Sequence, residues 1–229
     1  MSKQPIPLEQ LLVHLPLFKD LSPEKLALVV ADGLLEVNAP RGSVLYRRGE
    51  PCRGLHIVVW GEVKCTFETR DGGEKVLEVA RAGQCLADVV SFVDKPHLVT
   101  AEALTDSKLV YMPKAKVLAE MERFPEVARA MVGVLSSRLV DLVSELENCT
   151  LRTGKQRVIR YILKHLPQHA AGTQKAVFLP AKKSIIASQL NLTHEHFSRI
   201  LRDLATAGLI DVRGRQIMIS DIATLQARL

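Results

Sequence analysis

Lys182-Lys183-Ser184-Ile185-Ile186-Ala187-Ser188-Gln189-Leu190-Asn191-Leu192-Thr193-His194-Glu195-His196-Phe197-Ser198-Arg199-Ile200-Leu201 has the anatomy of a helix-turn-helix. Ala187 stands where two crossing helices come closest, and a larger side chain there would push them apart. Asn191 occupies the tight turn, where glycine is usual and asparagine tolerates a left-handed backbone. Thr193 caps the second helix, with His196 rather than Glu at the capping-box position. Phe197, Ile200, Leu201 and Leu204 point inward, which leaves Glu195, Ser198, Arg199 and Arg202 on the outer face. Gly208 ends the helix, and Leu209–Val212 with Gln216–Ile219 form a β-hairpin wing around Arg213-Gly214-Arg215. A plain helical hairpin within a core would account for the apolar spacing alone. It would not account for the turn residue, the basic face and the wing together.

Outward from this motif the chain stays basic. Gln156 to Leu166 reads as an amphipathic helix, followed by a loop through Gly172 and a short apolar run, Ala176 to Leu179. Residues 152–229 hold 13 Lys/Arg and 4 Asp/Glu, whereas residues 1–151 hold 18 and 21, within a total formal charge of +6. A basic C-terminal domain on a slightly acidic body fits a polyanion-binding module. A basic enzyme domain would have the same balance.

Upstream, Ala128, Val132, Leu135, Leu139, Leu142, Leu146 and Cys149 form an a/d stripe along a helix that starts near Pro125. Arg138, Asp141, Glu145 and Glu147 flank it. A helix packed only on its own domain would tolerate a broader, less regular apolar face, so the stripe favours a two-stranded coiled coil. Val132, Leu135, Leu139, Leu142 and Leu146 are its expected dimerisation residues. About two and a half heptads is short for a coiled coil, so the remaining body must contribute to dimer stability.

From residue 34 to 112 short strands alternate with glycines. Leu55–Trp60 is one apolar run, and Val63–Glu68 is expected to place Val63, Cys65 and Phe67 on one face and Lys64, Thr66 and Glu68 on the other. Asp71-Gly72 before Lys75–Arg81 signals a hairpin. The spacing suits a sandwich, barrel or jelly roll. Two short helical patterns precede it, the second opened by Ser22-Pro23-Glu24. The expected domains are 1–123, a helix over 124–150, and 151–229.

Composition narrows the class. With 229 residues, 47% hydrophobic and 24% charged, the chain is neither disordered, collagen-like nor a membrane bundle. No apolar stretch approaches the ~20 residues that span a bilayer, and the start lacks a secretory signal, so a cytoplasmic protein is expected. Cys52, Cys65, Cys85 and Cys149 form no disulfide framework, and Cys52, in a turn between Pro51 and Arg53, is the expected exposed thiol.

Gly49-Glu50, Gly61-Glu62-Val63, the 128–149 stripe and the 182–201 segment together resemble the CRP/FNR family of bacterial transcription regulators over nearly the whole chain. The resemblance implies an α+β architecture. A cyclic-nucleotide-binding-like jelly roll would lead into a long dimerisation helix and a C-terminal winged helix-turn-helix. It implies a homodimer on a palindromic operator in double-stranded DNA, with RNA polymerase as partner if the protein is an activator, and no enzymatic activity. Glu195-His196-Phe197-Ser198-Arg199 is similar to the FNR branch pattern, so Glu195, Ser198 and Arg199 would read a TTGAT-type half-site. Arginine donates twice to guanine, and glutamate accepts from cytosine N4. Lys182, Lys183, Thr193, Arg202, Arg213 and Arg215 are the expected DNA-backbone contacts.

The signal is narrowed by departures from the family pattern. Cyclic-AMP-binding relatives use a Gly-Glu pair for the ribose and an arginine for the phosphate. Here the region reads Ala87-Asp88 and then Pro96-His97-Leu98-Val99-Thr100, with no arginine between Arg81 and Arg123. Asp88 still suits a ribose hydroxyl, but the phosphate loses its bidentate partner, so no cyclic AMP is expected. No cysteine precedes Cys52, so no iron–sulfur cluster is expected either. Leu11–Pro23, Glu74–Val79 and Phe92–Pro96 resemble the DNR/NNR-type regulators of denitrification, associated with haem-dependent nitric oxide sensing. That resemblance ranks haem b first as cofactor, with His14, His56 and His97 as candidate ligands. The expected effector pocket comprises Leu86, Asp88, Val89, Phe92, His97 and Val99, with Val90 and Leu98 beside them. Another small molecule, or a roll with no ligand, stays open. So do two other classes: a cupin-like metalloenzyme, and a sensor subunit acting through a protein partner.

Overall fold

The structure, a computed structural model, describes residues 8–31, 33–69, 72–166 and 175–229. Asp71 of the expected hairpin and the loop through Gly172 lie outside the described residues. The chain forms two compact units, Met1–Val140 and Asp141–Leu229.

In the first unit, α1 (Leu8–Leu12) and α2 (Pro23–Ala31) precede the strands. Pro23 opens α2, and its first turn rests on Ser22, whose carbonyl accepts from the Leu26 amide at 2.9 Å. The strands are β1 (Leu35–Ala39), β2 (Val44–Tyr46), β3 (Gly54–Trp60), β4 (Val63–Glu68), β5 (Glu74–Ala80), β6 (Cys85–Leu86), β7 (Thr100–Ala103) and β8 (Ser107–Pro113). The short helix α3 (Asp88–Ser91) lies between β6 and β7, and α4 (Lys114–Arg123) and α5 (Pro125–Leu151) follow β8. Two antiparallel four-stranded sheets result, ordered β1-β8-β3-β6 and β2-β7-β4-β5.

The continuous apolar run of β3 follows from its place. Leu55, Ile57 and Val59 join a core with Leu12, Phe18, Val29, Val127 and Met131 from the helices. Val58 points the other way, into the core between the sheets with Tyr46, Val63, Cys65 and Leu109. A strand buried on both faces cannot alternate apolar with polar.

The alternation expected for β4 holds only for its first half. Thr66 is buried and Phe67 half-buried. At that point β5 carries an extra residue, Leu77, and the pairing steps from Cys65↔Glu78 to Thr66↔Val76. This bulge breaks the period on which the expectation rested.

Helix α5 begins at a proline, as expected, and Lys25 bonds Glu126 in its first turn at 2.7 Å. Val127 and Met131 are buried against the roll, and Ala128 and Leu135 are half-buried. Leu135 therefore packs in part on its own unit. Arg138 pairs with Glu78 of β5 and reaches the Cys85 carbonyl at 3.5 Å.

The second unit contains the end of α5, then α6 (Gly154–Lys164), β9 (Lys175–Phe178), α7 (Lys183–Gln189), α8 (His194–Thr206), β10 (Ile210–Arg213), β11 (Gln216–Ile219) and α9 (Ile222–Gln226). Thr153 starts α6 two residues earlier than expected, through a reciprocal capping box with Gln156. The apolar run over 176–179 supplies a third strand to the wing, ordered β10-β11-β9, because fully buried Val177 pairs with Ile217 over the core.

Gly54 tests the tightness of the roll. A Cβ there would lie 2.3 Å from the Met112 carbonyl oxygen, a backbone atom that cannot move aside. Gly54→Ala should lower unfolding free energy by about 1–3 kcal/mol in urea titration, whereas Gly133→Ala, in open space on α5, should raise it by about 0.5–1 kcal/mol.

Candidate nucleic-acid interface

Helix α7 starts after Lys182, whose exposed side chain makes no capping bond. It ends at Leu190, and the Leu192 amide turns back to the Ala187 carbonyl at 2.9 Å. Asn191 holds φ +56°, the left-handed conformation expected of it, and Ala187 is buried at the crossing. Thr193 Oγ1 accepts from the His196 amide at 3.1 Å and so starts α8. Its hydroxyl oxygen serves this cap first.

Phe197, Ile200, Leu201 and Leu204 are all buried and anchor α8. Glu195, Ser198, Arg199 and Arg202 consequently share the opposite face, Ser198 half-buried and the other three exposed. Among the described residues no hydrogen bond or ion pair engages the Arg199 or Arg202 side chain. Two free guanidinium groups beside a carboxylate make a face able to donate to and accept from base edges. Lys183 is half-buried at the start of α7.

The hairpin wing forms as expected, β10 pairing with β11 around the turn at Gly214. Arg213 is exposed at the turn and pairs with Asp211 at 2.8 Å. Arg215 donates to the Leu179 carbonyl from Nε at 3.1 Å and from Nη2 at 2.9 Å, and to Pro180 at 2.8 Å. Its guanidinium also lies 5.0 Å from the centre of the Phe178 ring. Most of its donors are therefore used to tie the wing to the segment before α7. No local pattern in the sequence signals this, because the acceptors lie 36 and 35 residues away.

In the first unit the expected effector residues differ widely in exposure. Leu86 is a fully buried core residue, Phe92 and Val99 are half-buried, and His97 is buried. Val89 and Leu98 are exposed, at 44% and 51%. In the single turn of α3, Val90 and Ser91 face inward, and the helical rotation carries Val89 out. The side chain of Asp88 lies outside the described residues.

Two of the three candidate histidines are held in an aromatic cluster. The His97 ring lies 3.8 Å from Tyr46 at 11°, His56 lies 5.8 Å from Tyr46, and Tyr111 lies 4.9 Å from His56. Burial depresses the His56 pKa to about 4, with His97 nearby adding to the effect, and its Nδ1 is buried without a partner. Burial also lowers His97, with Glu50 opposing it. Both rings are thereby biased towards the neutral form. His14 is exposed and borders a cavity of about 410 Å³ lined by Leu11, Leu15, Pro16, Val59 and Gly83 among others.

The thiols also differ from expectation. Cys52 is half-buried, its Sγ 3.4 Å from the Gly54 carbonyl and 3.6 Å from Ser91 Oγ, whereas Cys149 near the end of α5 is the exposed one. The turn carrying Cys52 folds back towards Ser91 at the end of α3. Among the described residues no three His, Cys, Asp or Glu side chains gather as a metal-binding group, and no helix is long and apolar enough to cross a membrane.

Comparison with known proteins identifies both units. Residues 36–124 match the cyclic nucleotide-binding domain family, and residues 156–228 match the Crp-like helix-turn-helix domain family. The chain is 25% identical to a CRP-like cAMP-activated global transcriptional regulator of Mycobacterium tuberculosis, covering 96% of this chain and 99% of that one. It is 33% identical to the crystal structure of DNR from Pseudomonas aeruginosa, covering 99% of each, with a TM-score of 0.50. The structure of FixK2 from Bradyrhizobium japonicum shares the fold at a TM-score of 0.72 and 23% identity, covering 85% of this chain and 96% of that one.

The two kinds of contact on this face separate by measurement. Arg199→Ala should bind a target duplex selected by the wild-type protein little better than a scrambled one, since each lost bidentate contact costs ~1–3 kcal/mol of discrimination. Lys182→Ala should weaken binding to both duplexes alike and lower the salt slope by about one. Retained discrimination in Arg199→Ala would mean that another element reads the bases.

Proposed function

Because the chain belongs to the CRP/FNR family of DNA-binding transcription regulators, we propose that it acts as a homodimer on a palindromic TTGAT-type operator, under control of a small effector at its N-terminal unit. The observation that carries the dimer is the stretch of α5 from Val132 to Leu146. Val132, Leu139, Leu142 and Leu146 are exposed at 61%, 63%, 51% and 65%, and Val140 and Val143 at 65% and 61%. An apolar face of this extent on one helix is an unmet burial requirement, and a second copy meets it through the same a/d stripe. Two-fold symmetry then places two α8 helices for half-sites about one DNA turn apart, ~34–36 Å. Glu195, Ser198 and Arg199 supply the acceptor and donors that a TTGAT half-site presents for. As an activator, such a dimer would contact RNA polymerase.

For the effector, the DNR/NNR-type resemblance ranks haem and nitric oxide first, and the DNR likeness at 33% identity supports the same subgroup. Bound haem supplies an iron centre that takes a diatomic gas. Of the three candidate ligands, His14 fits best, since it borders an apolar cavity of about 410 Å³ while His56 and His97 pack around Tyr46. This moves the proposed site from the 86–99 region to the groove beside α1. Cyclic AMP is disfavoured, because no arginine stands between Arg81 and Arg123 to pair with its phosphate.

Leu142→Asp should yield a folded monomer in sedimentation and lose most operator affinity, since a charge on the stripe must be desolvated against its symmetry mate. An unchanged dimer would place the interface elsewhere. Haem titration should give a Soret band that shifts in His14→Ala and persists in His56→Phe, with operator affinity rising on addition of nitric oxide. No band in the wild-type protein, with full operator affinity in its absence, would remove haem and leave DNA binding untouched.

A further inference from the structure

Helix α5 ends at Leu151 and α6 begins at Gly154, leaving Arg152 and Thr153 between the two helices, the second opened by its own capping box. Such a break is a hinge unless something else holds it. Here one side chain from α6 does so. Arg157 Nη1 donates to the Arg152 carbonyl at 3.0 Å, its Nε donates to the Leu190 carbonyl at 2.9 Å, and its Nη2 donates to the Asn191 carbonyl at 3.4 Å. Arg152 follows the last turn of α5, and Leu190 and Asn191 follow the last turn of α7. Carbonyls at helix C-termini lack intrahelical donors and sit at the negative end of the helix dipole. One half-buried guanidinium thus caps two helices at once.

A second link runs the other way. Asn191 Nδ2 donates to Cys149 Sγ at 3.0 Å, joining the turn of the helix-turn-helix to α5 directly. Arg152 in turn donates to Glu147 Oε1 at 3.0 Å, one turn back on α5. Gly154 lets the backbone close in: a Cβ there would lie 3.0 Å from Leu192 Cδ2, 3.4 Å from His196 and 3.5 Å from Ile200. The start of α6 therefore rests on the turn and on α8 itself.

We propose that Arg157, with Asn191 and Cys149, is a positioning element that fixes the recognition helix α8 to the last turn of α5, so that α8 takes its direction from α5. Thr193, the cap of α8, comes two residues after Asn191, and Glu195, Ser198 and Arg199 follow within the next two turns. A turn held in place before DNA arrives is not ordered at the expense of binding free energy, and specific affinity rises accordingly. Arginine is required for this role. Its planar fork directs several N–H groups to separated carbonyls, whereas the lysine ammonium is a single point donor on a flexible stem. The proposal rests on the family's DNA-binding role and not on the dimer or the effector.

The test uses the full-length protein, a target duplex selected by the wild type, and a scrambled duplex. Arg157→Lys keeps the charge and removes the fork. It should lose about tenfold in affinity for the target, the worth of one or two charge-assisted hydrogen bonds. Affinity for the scrambled duplex should stay within about twofold and the salt slope should be unchanged, because no phosphate contact has been lost. Asn191→Gly retains the left-handed turn and removes only the bond to Cys149. It should lose target affinity less, about threefold, and combining it with Cys149→Ala should add nothing further. Hydrogen exchange at the Leu192 amide should quicken in Arg157→Lys while the Ile217 amide, in the core sheet, is unchanged. Target affinity in Arg157→Lys within twofold of wild type would overturn the proposal, as would an equal loss of affinity for the scrambled duplex, which would make Arg157 a sequence-independent contact. Should Arg157→Lys fail to fold, additive losses in Asn191→Gly and Cys149→Ala would overturn it on their own.

Discussion

Burial along α5 is the constraint from which the rest follows. Val127 and Met131 are sealed in the core of the first unit, while the apolar residues from Leu139 to Leu146 have no surface of their own unit to cover them. A 27-residue helix is about 40 Å long, more than one small domain can bury along a single stripe. The same helix is thus a core element at its start and an open apolar face further on. Its final turn carries the bonds that anchor the DNA-reading turn.

The roll meets a different requirement. Its first sheet lies between two cores, so β3 is apolar on both faces and needs helices outside it as well as strands within. Packing at this density leaves little room for polar groups. Some of those present pack on rings or pair with charge: Tyr46 between two histidines, and Arg138 with Glu78. Neutral histidines in this cluster contribute stability above the unfolded pKa near 6.5. For His56, stability is lost as pH falls below about 6.5 towards 4, because the unfolded chain then binds a proton that the folded one resists.

In the second unit, charge and position are separate properties. Its excess of basic residues attracts a polyanion without regard to sequence. Under the proposed function, selection among sequences falls to Glu195, Ser198 and Arg199, whose positions depend on four buried anchors, one threonine cap and one left-handed asparagine. Not every arginine serves the charge. Arg157 and Arg215 spend their donors on backbone carbonyls and hold the frame in which Arg199 remains free.

The amino-acid sequence alone determined the features whose causes lie within a few residues of each other. The left-handed turn at Asn191, the cap at Thr193, the end of α8 before Gly208, the proline start of α5 and the inward face of α8 all belong to this class. Each follows from local backbone sterics or helical periodicity. Tertiary structure decided what depends on partners far along the chain. Arg157 meets Leu190 across 33 residues and Arg215 meets Leu179 across 36. Likewise, Cys52 is covered while Cys149 is exposed, Leu135 turns in part to its own core, Val89 and Leu98 face outward, and β9 completes the wing. A side chain's own neighbourhood in sequence carries no record of which distant surface will fold over it, since burial and long-range hydrogen bonds exist only once the chain has closed on itself.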